Sequence, residues 1–244
     1  MRIIWVDSCP STNSYAASMP DVDGGVVVAT RTQTAGRGQR GNSWESEPGC
    51  NLTFSAAWKP EGVLPREQFS ISEAVALAVV DLLAEKGVEA KVKWPNDIYV
   101  DDRKICGILI EHSVMGMEID RTIAGVGINV NQREFVSDAP NPVSMVMLTG
   151  RQYPLQPLLE RYAEILKHRL GEIADREGRE ATHKEFKVKM WRNDGNFHPF
   201  RDKASGSIYS GKIVDVEDFG YLHVEDEASG ERFKYAFKEV EFLL

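Results

Sequence analysis

Lys104 stands just after an Asp101-Asp102 turn and just before the apolar run Ile105 to Ile110, so a cation sits where a strand enters the core. Long charged side chains are almost never fully buried without a partner. Two readings follow: an edge-strand lysine with its amine in water, or a cation aimed at an anionic ligand in a pocket. A second group of cations is Arg31, Arg37 and Arg40, which fall between Asp23 and Glu45 where no carboxylate side chain occurs. Two of them belong to Gly36-Arg37-Gly38-Gln39-Arg40-Gly41, a literal GxGxxG. The dinucleotide reading of that pattern fails, because it needs a helix opening at the last glycines to receive a pyrophosphate. Asn42-Ser43-Trp44-Glu45-Ser46-Glu47-Pro48-Gly49 follows and cannot start such a helix, and the Walker lysine with its Ser/Thr is missing. What remains is a long glycine-rich loop with two arginines. It is either a solvated Ω-loop or a loop that folds over a phosphate, offering backbone N–H groups and guanidinium forks.

Certain elements must position these groups. Lys93 to Glu111 (KWPNDIYVDDRKICGILIE) reads as two short strands about the Asp101-Asp102 turn, with Ile98, Tyr99 and Val100 as β-formers. Pro95 bars helix at Trp94 and is expected to leave Asn96 and Asp97 outside regular hydrogen bonding. Upstream, Arg2 to Val6 is a short strand, and Ser14 to Ser18 a short helix stopped by Pro20, for which Ser11 and Thr12 are natural N-caps. Gly25 to Thr30 reads as a buried strand, Leu52 to Trp58 as an alternating one, and Arg121 to Val130 as another whose Gly125 and Gly127 weaken it unless something approaches the backbone. Ile71 to Leu83 repeats at helical spacing with one apolar face, ended by Gly87 as an αL cap. Leu158 to Ile173 does the same and is expected to run on to about Glu180. From about His198 the chain changes to short strands split by glycines, the pattern of a small SH3-like β-barrel.

The expected fold is therefore α+β: a mixed β-sheet domain packed with helices over residues 1–195, then a small SH3-like β domain over 196–244. The helices do not alternate regularly with strands, which excludes a doubly wound Rossmann fold. At 244 residues with a net charge of −8, the chain can bury a full core but offers no extended surface for duplex nucleic acid. Cys9, Cys50 and Cys106 are scattered singly, so neither a zinc site nor a disulfide framework is indicated. That usage suits a reducing compartment. With no signal-peptide core and no membrane-length apolar run, a soluble cytoplasmic protein is expected.

Taken in order, Ser11-Thr12-Asn13, Gln33-Thr34-Ala35-Gly36-Arg37-Gly38 to Trp44, KWPNDIYVDDRKICGILIE and Gly125 to Asn131 (GVGINVN) resemble a biotin protein ligase, biotin–[acetyl-CoA-carboxylase] ligase. The match covers about the first 135 residues, and pairing a GRGxxG loop with KWPND…K…GIL is far more specific than either part alone. The resemblance implies two half-reactions: biotin is activated by Mg-ATP as biotinyl-5′-AMP, then transferred to one lysine of a biotin carboxyl carrier protein domain. It implies catalytic roles for Lys104 and Arg37, which would bring carboxylate and α-phosphate together. Biotin would be held by Ser11, Thr12, Asn13, Gln33, Arg37, Gly38, Gln39, Lys104 and Gly107. Its apolar part would need a slot beside backbone at Gly107, Gly125 and Gly127. The nucleotide would lie near Arg37, Arg40, Trp44, Asn96 and Asn129, with Trp44 either a lid on the adenine or a core tryptophan. The magnesium ligands are not assigned.

The chain departs from the family at Gln39, where many members carry an arginine that helps retain the adenylate; Arg40 is the candidate substitute. Because the chain begins almost at Ser11-Thr12-Asn13, the resemblance leads us to expect an enzyme without a DNA-binding domain, working as a monomer or homodimer, its carrier adding to an exposed sheet edge. Two alternatives stand beside this reading. One is a lipoate–protein ligase of the same architecture, the other a non-catalytic biotin or adenylate sensor.

Overall fold

Strand β3 (Leu52–Trp58) is buried at every position and is an interior strand of the layer that carries the site. The computed structural model describes residues 1–38, 43–136 and 141–244. Its first sheet joins β1 (Arg2–Cys9), β2 (Val26–Gln33), β3, β7 (Glu118–Ile128), β6 (Arg103–Met115), β5 (Asp97–Val100) and β4 (Lys91–Lys93), in that spatial order. Only β1 and β2 run parallel, and the other neighbours are antiparallel, so the sheet is mixed.

Alternation along β3 divides its two faces. Leu52, Phe54, Ala56 and Trp58 join the main core, under α2 (Phe69–Ala84) and α4 (Leu155–Glu172), where the rings of Phe54 and Tyr162 meet edge-on at 4.9 Å. Thr53, Ser55 and Ala57 face the other way. Ala57 packs with Val26, Val28, Ile123 and Ala16 of the short helix α1 (Thr12–Ala17) in a second cluster, leaving Thr53 and Ser55 as polar groups on a covered face.

Several expectations need correction. Helix α1 opens at Thr12, so Thr12 lies inside it, and Ser11 holds the N-cap position without a side-chain capping bond. The helix expected to continue to Glu180 stops at Glu172, and α5 (Arg176–Lys189) starts afresh with the Asp175 carboxylate accepting from Gly178 N–H at 2.8 Å. α2 is buried almost all round instead of on one face, because α4, α5 and the second sheet cover what the first sheet does not. Asp97 belongs to the ladder, opposite Lys93 on β4 and Gly107 on β6. The β6–β7 hairpin is longer than its apolar runs, with Ser113 to Ile119 included. α3 (Met145–Thr149) was not foreseen.

The second sheet is antiparallel throughout, in the order β11 (Arg232–Tyr235), β10 (Leu222–Asp226), β9 (Ile208–Val216), β8 (His198–Asp202), β12 (Val240–Phe242). Five short strands with glycine turns have the pattern of an SH3-like β domain. Several contacts fasten it to the first part, the Lys187–Asp215 ion pair at 3.1 Å among them. Trp94 Nε1–H donates to the Gly220 carbonyl at 3.0 Å, and a Cβ on Gly220 would strike the Phe69 ring. At the other end, the ring of Phe242 on β12 packs 5.9 Å from that of Trp191, which precedes the second sheet. Among the described residues, no helix is long and apolar enough to cross a membrane.

Glu73 of α2 is buried and lies 2.6 Å from His183 Nδ1 of α5. The hydrogen bond to Glu73 raises the pKa of His183 despite its partial burial. Desolvation raises that of Glu73, only partly offset by His183. The raised histidine value means that its stabilising proton is fully bound below about 6.5 and is lost as pH rises through the folded value. The raised carboxyl value acts in the same direction. The melting temperature is therefore expected to fall as pH is taken upward from about 6.5, and a His183→Gln variant to show a flatter profile in the same thermal scans.

Candidate functional site

A cleft of about 1140 Å³ opens on the face of the first sheet away from α2 and is walled on one side by the second sheet. Its floor consists of two neighbouring cross-strand rows. Gly127 lies between Thr53 and Gly107, and Gly125 lies between Ser55 and Leu109. These glycines are required by close approach. A Cβ on Gly125 would overlap Asn13 Oδ1, and one on Gly127 would overlap the Trp44 indole. At Gly107 a Cβ would stand 2.9 Å from Trp44 Cζ3.

One end of the cleft is a buried polar corner. Thr12 N–H donates to Gln33 Oε1 at 2.9 Å. Ser55 Oγ lies 2.7 Å from Thr12 Oγ1 and 2.6 Å from Asn13 Oδ1. Asn13 Nδ2 donates to Glu111 Oε2 at 2.7 Å and to the Leu109 carbonyl at 3.3 Å. The corner thus holds fixed donors and acceptors out of bulk water, suited to a neutral ligand with both kinds of group. Arg37 leans over it, 3.5 Å from Glu111 Oε2, with both side chains about half exposed; such a pair is weak and leaves the guanidinium available.

The other end is cationic. Lys104 Nζ is 2.7 Å from Asp97 Oδ1, with the two side chains 25% and 21% exposed, and stands 5.8 Å from the Trp44 ring centre. The water-exposed reading of Lys104 is thereby set aside: the amine is sheltered and paired within the cleft. Its backbone is clamped by Asn141 and Val143. Lys93 is a further cation, its Nζ 5.0 Å from the Tyr99 ring and 5.5 Å from the Phe242 ring. Desolvation lowers its pKa, and the charge of Asp97 only partly opposes that. Trp44 Nε1 and Asn129 Oδ1 are buried without a hydrogen-bond partner among the described residues, one donor and one acceptor at the same cleft.

Ser11, Thr12, Asn13, Gln33, Arg37, Gly38, Trp44, Asn96, Lys104, Gly107 and Asn129 all line this cleft, so every described residue given a ligand-binding role in the sequence is brought to one place, whereas the cation Arg31 lies elsewhere, 5.9 Å from the Trp5 ring. Gln39 and Arg40 lie outside the described residues. Asn96 is turned toward the backbone, its Nδ2 donating to the Ile108 carbonyl. Sequence reasoning missed Ser55, Glu111, Asp97, Lys93 and the Phe242 wall. Ser55 had a signal, since Thr53 and Ser55 are the polar alternate positions of an otherwise apolar strand. Phe242 had none, because it meets Lys93 only through tertiary packing. Among the described residues, no group of three or more His, Cys, Asp or Glu side chains could hold a metal ion.

Comparison with known proteins gives this cleft its context. The family model described as biotin/lipoate A/B protein ligase matches residues 5–129. The bifunctional ligase/repressor BirA of Salmonella typhimurium is 34% identical over 133 residues, covering 54% of this chain and 41% of that protein. The biotin–[acetyl-CoA-carboxylase] ligase of Paracoccus denitrificans is 34% identical over 123 residues, covering 49% and 51%. The match thus spans about half or less of the length of these curated relatives. The structure of the Aquifex aeolicus biotin protein ligase in complex with biotin and ATP superimposes with a TM-score of 0.80 at 23% identity, over 98% of this chain and 97% of that one. That likeness establishes the fold, second sheet included.

Proposed function

This chain belongs to the biotin/lipoate A/B protein ligase family, and from that premise we propose that it is an ATP-dependent biotin–[acetyl-CoA-carboxylase] ligase. It activates biotin as biotinyl-5′-AMP and passes the acyl group to a lysine of a biotin carboxyl carrier domain. The observation that carries this reading is one cleft with a neutral polar corner at one end and a sheltered lysine at the other, joined by a floor of glycines. Residues 1–195 would form the catalytic domain, and residues 196–244 a second domain that walls the cleft. The free cysteines suit a reducing compartment, and we place the reaction in the cytoplasm.

The ureido ring of biotin fits the donors and acceptors of Thr12, Asn13, Gln33 and Ser55, and its apolar ring and chain fit against Gly125 and Gly127. A biotin carboxylate oxygen then bonds to the α-phosphorus as the bond to the β-phosphate bridging oxygen breaks, releasing pyrophosphate. Two anions must approach, and the sheltered Lys104 amine supplies positive charge that offsets their repulsion, with the half-exposed Arg37 guanidinium as the second cation available to them. Asp97 holds the Lys104 amine in place. Magnesium would arrive on the nucleotide, held chiefly by phosphates and water, as is usual for this ion, and would neutralise phosphate charge. In the second half-reaction the carrier's neutral amine attacks the acyl carbon, AMP leaves, and the amine's proton passes to solvent.

Incubation with biotin, ATP, magnesium and an apo carrier domain should yield a band on an avidin blot. A folded sample that transfers nothing overturns the proposal. ATP–pyrophosphate exchange with biotin and lipoate in competition separates the two ligase readings; exchange driven by lipoate alone would replace this one. Tight biotin binding without exchange would mark a sensor.

Lys93 gives a prediction of opposite signs. Its charge is held where desolvation opposes it, so at neutral pH the unfolded chain binds that proton more tightly and the charge costs stability. Lys93→Met should raise the melting temperature, by roughly 2–4 °C per kcal/mol recovered for a chain of this size, while raising the KM for ATP. Melting curves and exchange kinetics on one preparation check both.

A further inference from the structure

We propose that Gln132 is a positioning residue that joins the two walls of the cleft, so that filling the biotin corner and filling the nucleotide end become energetically linked. The inference rests on the ligase reading above. Gln132 follows β7 and is only 2% exposed. Its amide is fully used. Oε1 accepts from Glu47 N–H at 3.0 Å and from Asn51 Nδ2 at 2.5 Å. Nε2 donates to Glu45 Oε1 at 3.3 Å and to the Glu134 carbonyl at 2.8 Å. Two acceptor bonds and two donor bonds are all that a carboxamide side chain can make.

These bonds cross between segments that flank the cleft from different parts of the chain. On one side is 44–51, on the other 130–136. Glu45 Oε1 also accepts from Val136 N–H at 3.0 Å, Asn51 Oδ1 from Val130 N–H at 2.9 Å, and the Cys50 carbonyl from Asn131 N–H at 2.8 Å. The first segment carries Trp44, which lies over Gly107 and Gly127 beside Lys104. The second carries Phe135 and Val136 into the same cleft, next to Asn129. A ligand that moves Trp44 on the floor therefore pulls on Glu45, and through Glu45 and Gln132 on the backbone of Val136. Buried polar networks transmit such shifts because breaking one member leaves others unsatisfied. The linkage is reciprocal: whatever the nucleotide does to biotin affinity, biotin does to nucleotide affinity by the same factor.

The test is calorimetric titration of the full chain with biotin, alone and with saturating α,β-methylene-ATP and magnesium, for the wild type, Gln132→Met and Glu45→Ala. Glu45→Ala removes the arm that runs from beside Trp44 to Gln132 and Val136 and leaves the other crossing bonds, Gln132 to Asn51 and Glu47, in place, so it still reports if the buried substitution impairs folding. In the wild type the two biotin dissociation constants should differ by a factor in the range of about 5–150 that is typical of coupled sites. In the variants that factor should fall toward one while the affinity for biotin alone is largely kept. A factor preserved in the variants, with or without a parallel loss of both affinities, overturns the proposal as a merely structural role would. So does a wild type that binds both ligands with no coupling. A wild type that binds neither overturns the ligase reading and this inference with it.

Discussion

A Lys104→Ala variant is expected to fold normally and to lose ATP–pyrophosphate exchange driven by biotin by roughly 10²–10³-fold or more, the scale of removing one preorganised group from developing transition-state charge. The side chain is one-quarter exposed and, among the described residues, its ion pair is with Asp97, itself not fully buried, so the fold gives up little. The reaction gives up a positive charge where two anions must come into bonding distance, in a sheltered site where Coulomb terms are larger than in water. Lys104→Arg should recover only part of the rate, because a planar fork cannot replace a point charge held by one carboxylate oxygen. Normal exchange in Lys104→Ala would show that the lysine is a bystander, and the catalytic assignment would fall.

Gly125→Ala should act at the opposite end of the cleft and on the other kinetic constant. The new methyl group would occupy the place of Asn13 Oδ1, so Asn13 must swing away from Ser55 and Glu111. Leaving a buried polar partner such as Ser55 unsatisfied costs about 1–3 kcal/mol, which corresponds to a rise in the KM for biotin of roughly 5- to 150-fold. The KM for ATP should change far less. The glycine is half-buried in the central strand β7 at an ordinary backbone angle, so the effect is one of volume, and Gly125→Ala combined with Asn13→Ala should partly relieve crowding without restoring affinity. Steady-state kinetics with each substrate varied in turn would check the split. Equal rises in both constants would mean that the corner is not a biotin site.

Much of this cleft was legible in the sequence because its chemistry is unusual for its setting. A lysine at the start of an apolar strand, an arginine (Arg37) in a carboxylate-free interval, and glycines inside β7 each violate a local rule, and each lies at the cleft. Strand β3 and helix α2 followed from apolar spacing alone. The remainder was fixed by partners remote along the chain. The Pro95 argument put Asp97 outside the ladder, whereas β4 and β6 draw it in and set it against Lys104. Periodicity carried the second long helix past Glu172, although Asp175 was a visible capping residue for a new start. The hairpin tip from Ser113 to Glu118 is solvent-facing, with Val114, Met115 and Met117 exposed, so its composition bears no imprint of burial. Phe242 covers Lys93 from the second sheet, and nothing near either residue announces the other.

The glycines of the cleft floor have a practical corollary for re-engineering where they lie. Acids bulkier than the natural one cannot be admitted by trimming beneath them, since a glycine has no side chain left to remove. Additional room has to come from overhead, by shortening the indole at position 44, and a selection scheme for altered acyl preference should begin its libraries there.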